Sequence, residues 1–212
     1  MVFSSAAFAR SQSKLAALLE NPAVIKVVHA CSEDLEVLQL SKVRDASTTE
    51  ETYMEVIRGK TAMLFEASTH SAAALAGATP EQREALRTFG DHLGVAFQLV
   101  DDLLDYRGDA ETLGKNVGDD LAEGKPTLPL IYTMREGTPE QAALVRTAIQ
   151  KGGIEDLESI RAAVEASGSL EYTAQLARDF VARAIACLEA LPPSEYRDAL
   201  VELSEFAVAR TH

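Results

Sequence analysis

Asp101, Asp102 and Asp105 stand in an otherwise apolar run, Phe97-Gln98-Leu99-Val100-Asp101-Asp102-Leu103-Leu104-Asp105. On a helix, Asp101 and Asp105 are one turn apart and share a face, while Asp102 is rotated away by about 100°. Gln98 lies one turn before Asp101 and Asp102 and can join either. Carboxylates among leucines and valines are costly unless something neutralises them. A hard divalent cation such as magnesium does so with oxygen ligands alone. The same pattern also describes a solvated acidic helix end, and spacing alone leaves both open.

Residues 107–127, which follow, are polar and rich in glycine, with Gly108, Gly114, Gly118 and Gly124. Lys115 and Lys125 each follow a glycine there. Carboxylates can hold magnesium, the magnesium can bridge diphosphate oxygens, and the lysines can neutralise what remains. Glycine beside each lysine lets backbone and ammonium come close to an anion. Upstream, Lys60-Thr61 offers another ammonium and a hydroxyl in mid-helix, although by itself Lys60 also reads as an exposed helix lysine.

Helices must position these groups. Thr48-Thr49-Glu50-Glu51 fits a capping box with Thr48 at the cap, and the helix it opens is expected to reach Leu75 and stop at Gly77. Thr79-Pro80-Glu81-Gln82 starts another, running to about Tyr106 with the aspartates in its last turns. Gly90 and Gly94, one turn apart within it, allow close approach of a second helix or a ligand. The tetrapeptide Thr-Pro-Glu-Gln recurs at 138–141 as local capping chemistry, without an internal repeat. Further helices are expected over about 128–136, 139–151, 154–167, 169–190 and 195–210. Nearer the start, 4–20 reads as a small amphipathic helix, 24–29 is a β-branched cluster of strand propensity, and Ser32 can cap a helix from Glu33.

The 212 residues suffice for one large domain or two small ones. Hydrophobic residues make up 47%, Trp is absent and strand-type alternation is scarce, so the expected class is all-α. A formal charge of −13 argues against binding nucleic acid through its phosphates, and there is no polybasic segment for an anionic membrane. Cys31 and Cys187 form neither a metal spacing nor a disulfide framework, which makes the reducing cytoplasm the expected location. No signal peptide is read in Met1 to Arg10, and no apolar run reaches membrane-spanning length. His29, His70, His92 and His212 share no ligand spacing; His92 is read as packing and Cys187 as a buried core residue.

From about Glu36 onward the chain resembles the C-terminal part of a trans-polyprenyl diphosphate synthase, close to the bacterial octaprenyl type. The residues that carry this are Gly59-Lys60-Thr61, the stretch from Phe97 to Asp105, Leu113-Gly114-Lys115-Asn116-Val117-Gly118-Asp119-Asp120-Leu121 and Glu123-Gly124-Lys125-Pro126-Thr127-Leu128-Pro129-Leu130. The resemblance implies an isoprenoid synthase helical bundle lacking its N-terminal helices. Asp101, Asp102 and Asp105 would be the second aspartate-rich motif, a magnesium–diphosphate site. Lys60, Thr61 and Gln98 would flank the allylic substrate, and Lys115 and Lys125 would bind the leaving diphosphate. The implied reaction condenses isopentenyl diphosphate with an allylic diphosphate, in quinone side-chain synthesis. The implied assembly is a homodimer or association with an intact synthase.

The chain departs from that family's pattern in its first part. Before Glu36 there is no DDxxD and no early Gly-Lys plus Arg segment for isopentenyl diphosphate. The stretch from Leu18 to Leu38 instead resembles ribonuclease D, in which the Asp of Ser-Glu-Asp-Leu, here Asp34, is a metal ligand. The other acidic nuclease motifs are missing, so no nuclease activity is expected and Asp34 reads as part of a helix start. The expected organisation is an atypical leader over 1–36, a foreign piece joined to a shortened synthase, and a synthase-like helical domain over 37–212. Without a first motif, catalysis by the chain alone is expected to be impaired or absent. A non-catalytic subunit that pairs with an intact synthase is the alternative. Missing first helices would leave apolar faces exposed on the helices at 50–75 and 80–106.

Overall fold

A computed structural model of the chain describes residues 43–107, 118–152 and 155–209. The chain divides into two units, Met1–Leu38 and Gln39–His212, and the described residues all belong to the second. The expected leader, the helix expected at 4–20, the β-branched cluster at 24–29 and the helix expected from 33 lie outside the described residues, and so does Lys115. Among the described residues the regular structure is entirely helical.

α1 (Glu50–Ile57) passes through a π-helical turn (Arg58–Ala62) into α2 (Met63–Leu75). The cap of α1 is Thr49, one residue later than expected; its hydroxyl accepts from Thr52 N at 3.2 Å. Thr48 is instead buried and donates to the Asp45 carbonyl. Ala76 ends α2, and Gly77 takes the left-handed conformation at φ 72° that a β-carbon would disfavour. The expected single helix from 50 to 75 therefore carries a wider turn in its middle, and Lys60 and Thr61 lie in that turn. Such turns recur at functional sites because they re-aim the side chains they carry.

α3 (Pro80–Arg107) is the axis of the bundle, 28 residues and about 42 Å long. Its capping box forms as expected: Thr79 N donates to Gln82 Oε1 at 3.1 Å and Gln82 N to Thr79 Oγ1 at 3.3 Å. The matching tetrapeptide caps a later helix in the same way through Thr138 and Gln141. A β-carbon at Gly94 would fall against Ala62 Cα, and one at Gly90 against the backbone of Phe65 and Glu66. The two glycines thus bring α2 and the π turn into backbone contact with α3.

Residues 107–127 are not all loop. The turn α4 (Asp119–Glu123) forms between Gly118 and Gly124, both left-handed. α5 (Leu128–Glu136), α6 (Pro139–Lys151), α7 (Leu157–Ala166), α8 (Ser169–Cys187) and α9 (Glu195–Ala209) follow. α7 begins later than expected, and α8 tightens at Leu188–Ala190 into a 3-10 turn. α8 and α9 pack along α3 as well. The central core joins Val95, Leu99 and Val100 of α3 to Tyr53 and Ile57 of α1 and Phe180 of α8. Each such full burial is worth about 1.5–3 kcal/mol.

Two expectations about surfaces change. α3 has no large apolar side chain exposed, because α2, α8 and α9 cover it. Among the described residues the exposed large apolar side chains are Met63, Leu64 and Leu75 on α2 and Tyr196, Leu203 and Phe206 on α9. Cys187 is half-buried rather than buried, at the edge of a cluster around Phe89 and Leu188. His92 packs as expected, edge-on to the Phe180 ring. Among the described residues no helix is long and apolar enough to cross a membrane.

Candidate functional site

The last turns of α3 enter the core, and the three aspartates divide. Asp102 is 3% exposed, whereas Asp101 and Asp105 are partly exposed. Asp102 Oδ2 accepts from the Tyr53 hydroxyl at 2.6 Å, and Oδ1 accepts from Gln98 Nε2 at 2.7 Å. Gln98 Oε1 in turn accepts from the Thr61 hydroxyl at 2.7 Å. The chain Thr61–Gln98–Asp102–Tyr53 thus ties the π turn and α1 to the aspartate helix. Burial, then the charge of Asp120, pushes the Asp102 carboxyl up to about 7, against the pull of its Tyr53 and Gln98 hydrogen bonds.

Asp105 faces the start of α4. Its Oδ1 accepts from Gly118 N at 3.2 Å, while Oδ2 is buried and has no hydrogen-bond partner. Burial and then Asp120 raise its pKa to about 6, opposed by the backbone amides of Asp120, Gly118 and Asp119. Asp120 therefore stands close to both carboxylates. The signal for it in the sequence is an acid between two glycines, five residues before Lys125. Tyr53 is the other residue that spacing alone does not pick out, although a buried tyrosine must place its hydroxyl on a partner.

Lys125 is turned toward acids of its own segment, 3.1 Å from Asp120 Oδ1 and 2.7 Å from Glu123 Oε2. Burial pulls its pKa down, but the Glu123 and Asp120 contacts prevail and raise it. Lys60 is exposed, and its charge reaches Glu123 from the π turn. The structure thus brings Thr61, Gln98, Asp102 and Tyr53 into one network, with Asp105, Asp120 and Lys125 beside it.

The donors fit a hard divalent cation. They are carboxyl oxygens, the charge of Asp120 raises the pKa of both Asp102 and Asp105, and one buried oxygen lacks a partner. Among the described residues no three His, Cys, Asp or Glu groups already form a metal-holding cluster.

The polyprenyl synthetase family model matches residues 2–167 of this chain. An octaprenyl diphosphate synthase of Escherichia coli (strain K12) is 52% identical over 193 residues, covering 88% of this chain and 60% of that protein. An all-trans-nonaprenyl-diphosphate synthase (geranyl-diphosphate specific) of Rhodobacter capsulatus is 52% identical over 175 residues, covering 82% of this chain and 54% of that protein. Among solved structures, a polyprenyl synthase from Caulobacter crescentus CB15 complexed with calcium and isoprenyl diphosphate superposes with TM-score 0.84 at 39% identity. It covers 97% of this chain and 64% of that one. The chain therefore spans less than two thirds of the length of these relatives.

Proposed function

Because the chain belongs to the polyprenyl synthetase family, we propose that it serves isoprenoid biosynthesis as a prenyltransferase of polyprenyl diphosphate synthase type, contributing the half of the site that holds an allylic diphosphate through magnesium. The observation that carries this reading is Asp105 Oδ2, buried without a hydrogen-bond partner near the charge of Asp120. The calcium and isoprenyl diphosphate named for the Caulobacter structure support a divalent cation and a ligand of this class.

Asp101, Asp102 and Asp105 would hold the magnesium. When bound, it supplies positive charge to diphosphate oxygens as they leave the allylic carbon. Lys115 and Lys125 bind the diphosphate itself, and for that Lys125 must exchange Glu123 for the ligand. Lys60, Thr61 and Gln98 face the allylic end, with the Thr61 hydroxyl and the Gln98 amide already oriented by the network. Isopentenyl diphosphate is the second substrate. The sequence holds one aspartate-rich motif, so elongation by the chain alone is slow or absent, because electrostatic stabilisation is usually the largest catalytic term. Sparse cysteine supports a cytoplasmic setting.

Calorimetry with magnesium and inorganic pyrophosphate tests the half-site. Binding that Asp105→Ala abolishes is expected; no heat and no thermal shift with the parent chain would sink the reading. Incubation with magnesium, farnesyl diphosphate and labelled isopentenyl diphosphate should give little or no product. Robust turnover lost on Asp101→Ala would overturn that part alone.

A second reading, a non-catalytic subunit that pairs with itself or with an intact synthase, is favoured by the exposed Tyr196, Leu203 and Phe206 of α9. Co-elution with an intact synthase and a changed product length would support it; independent migration of the two proteins would count against it.

A further inference from the structure

We propose that Tyr53 is a positioning residue of this site, its phenol hydroxyl fixing the Asp102 carboxylate in the orientation in which it meets the cation. The inference rests on the cation–diphosphate reading above and goes beyond it to a residue on a different helix.

Tyr53 and Asp102 are separated by 49 residues, yet the hydroxyl lies 2.6 Å from Oδ2. The two residues are 5% and 3% exposed. Gln98 Nε2 holds the other oxygen at 2.7 Å. Two donors, one on each oxygen, fix both the position and the plane of the carboxylate. Each oxygen keeps a further lone pair for a ligand, since an ionised carboxylate accepts at about four sites. Asp105 differs, with Oδ2 lacking any hydrogen-bond partner.

Packing alone does not require the hydroxyl. Tyr53 belongs to the apolar core cluster that also holds Ile57, Leu99, Val100 and Leu128, which a phenylalanine could equally join. The added oxygen is aimed at a charged group.

The helix that carries Tyr53 is itself held in place one turn earlier. Glu50 receives Arg135 Nη1 at 2.7 Å on one oxygen and the Tyr172 hydroxyl at 2.7 Å on the other. Arg135 belongs to α5 and Tyr172 to α8, so the first turn of α1 is fastened to two neighbours. The phenol therefore has a fixed origin as well as a fixed target. Partners of this kind, which orient a ligating carboxylate from behind, commonly change metal affinity about 10- to 100-fold when removed.

The test is calorimetry of the full chain with magnesium and inorganic pyrophosphate, comparing the parent, Tyr53→Phe and Thr133→Val. Thr133 is a fitting control because its buried hydroxyl bonds Pro129 O and Ser167, away from the aspartates. The parent should bind. Tyr53→Phe should raise the magnesium needed for binding by about 10- to 100-fold, while Thr133→Val binds as the parent does. Equal effects of the two variants, or none from Tyr53→Phe, would overturn the inference and leave the half-site reading standing. No binding by the parent would overturn both. A second measurement needs no variant at the site: in the parent labelled with 13C at tyrosine Cζ, adding magnesium and pyrophosphate should move the Tyr53 resonance. A resonance that stays in place would overturn the inference even if Tyr53→Phe failed to fold.

Discussion

The Thr61 hydroxyl lies 2.7 Å from Gln98 Oε1, across 37 residues of sequence, and its hydrogen bond orients the Gln98 amide. With Oε1 committed to Thr61, Nε2 faces Asp102 Oδ1 at 2.7 Å. One side chain thus acts as acceptor toward the π turn and as donor toward the aspartate cluster. Gln98→Leu should strand both partners. Leaving a buried polar group unsatisfied costs about 1–3 kcal/mol, so we expect a loss of about 2 kcal/mol in urea denaturation. A change under about 0.5 kcal/mol, the range of an ordinary surface substitution, would contradict the network.

The carboxylates predict an unusual pH dependence for the metal-free chain. Asp102 is raised to about 7 and Asp105 to about 6, burial and then Asp120 being the causes in each. An unfolded aspartate titrates near ~3.9. The folded chain therefore holds more protons than the unfolded one between these values, and stability falls as pH rises through the window. In chelator the melting temperature should be higher at pH 5 than at pH 8, and Asp102→Asn should flatten the difference. Magnesium favours the ionised carboxylates and should shrink it. A melting temperature climbing from pH 5 to 8 in chelator would count against the cluster as described.

Gly94→Ala tests how closely α3 meets the π turn. Helix propensity favours alanine by about 1 kcal/mol. The added carbon would fall against Ala62 Cα, which is backbone and yields little, and close to the Phe65 side chain. Overpacking of this kind costs about 1–3 kcal/mol, so net destabilisation is expected in thermal unfolding. A stabilised variant would show that the two segments do not touch there.

Lys125→Ala separates stability from ligand binding. Its ion pairs to Asp120 and Glu123 are partly solvated, the lysine side chain being 33% exposed. Pairs of that kind contribute within about 1 kcal/mol, so unfolding should change little. Pyrophosphate affinity should fall about tenfold, the loss of one charge-assisted contact of ~1.5 kcal/mol. Unchanged affinity would remove Lys125 from the proposed diphosphate site.

The α9 surface predicts association. Leu203 is 53% and Phe206 64% exposed. Replacing both by glutamate should leave stability within about 0.5 kcal/mol per site while shifting sedimentation toward a smaller species. A parent chain that already sediments as a monomer at high concentration would rule out self-association through this face.

Helix boundaries were largely legible because their causes are local. Thr79 with Gln82, Thr138 with Gln141 and the left-handed Gly77 act within a turn of the residues they stop or start. Thr49 in place of Thr48 as the α1 cap is the ambiguity of two adjacent threonines, decided when Thr48 became buried. The turn α4 was hidden because five residues between two glycines carry no periodicity to read.

By itself the sequence determined an all-α chain, the spans of its later helices and an aspartate cluster with lysines and glutamine around it, since spacing along one helix already decides which groups share a face. Tertiary structure decided which oxygen meets which donor. Tyr53 reaches Asp102 across 49 residues, Thr61 reaches Gln98 across 37, and Asp120 raises carboxyls on a helix it does not belong to. Those relationships depend on how closely helices approach, which Gly94 allows against Ala62, and on burial, which turns proximity between charges into an energetic coupling.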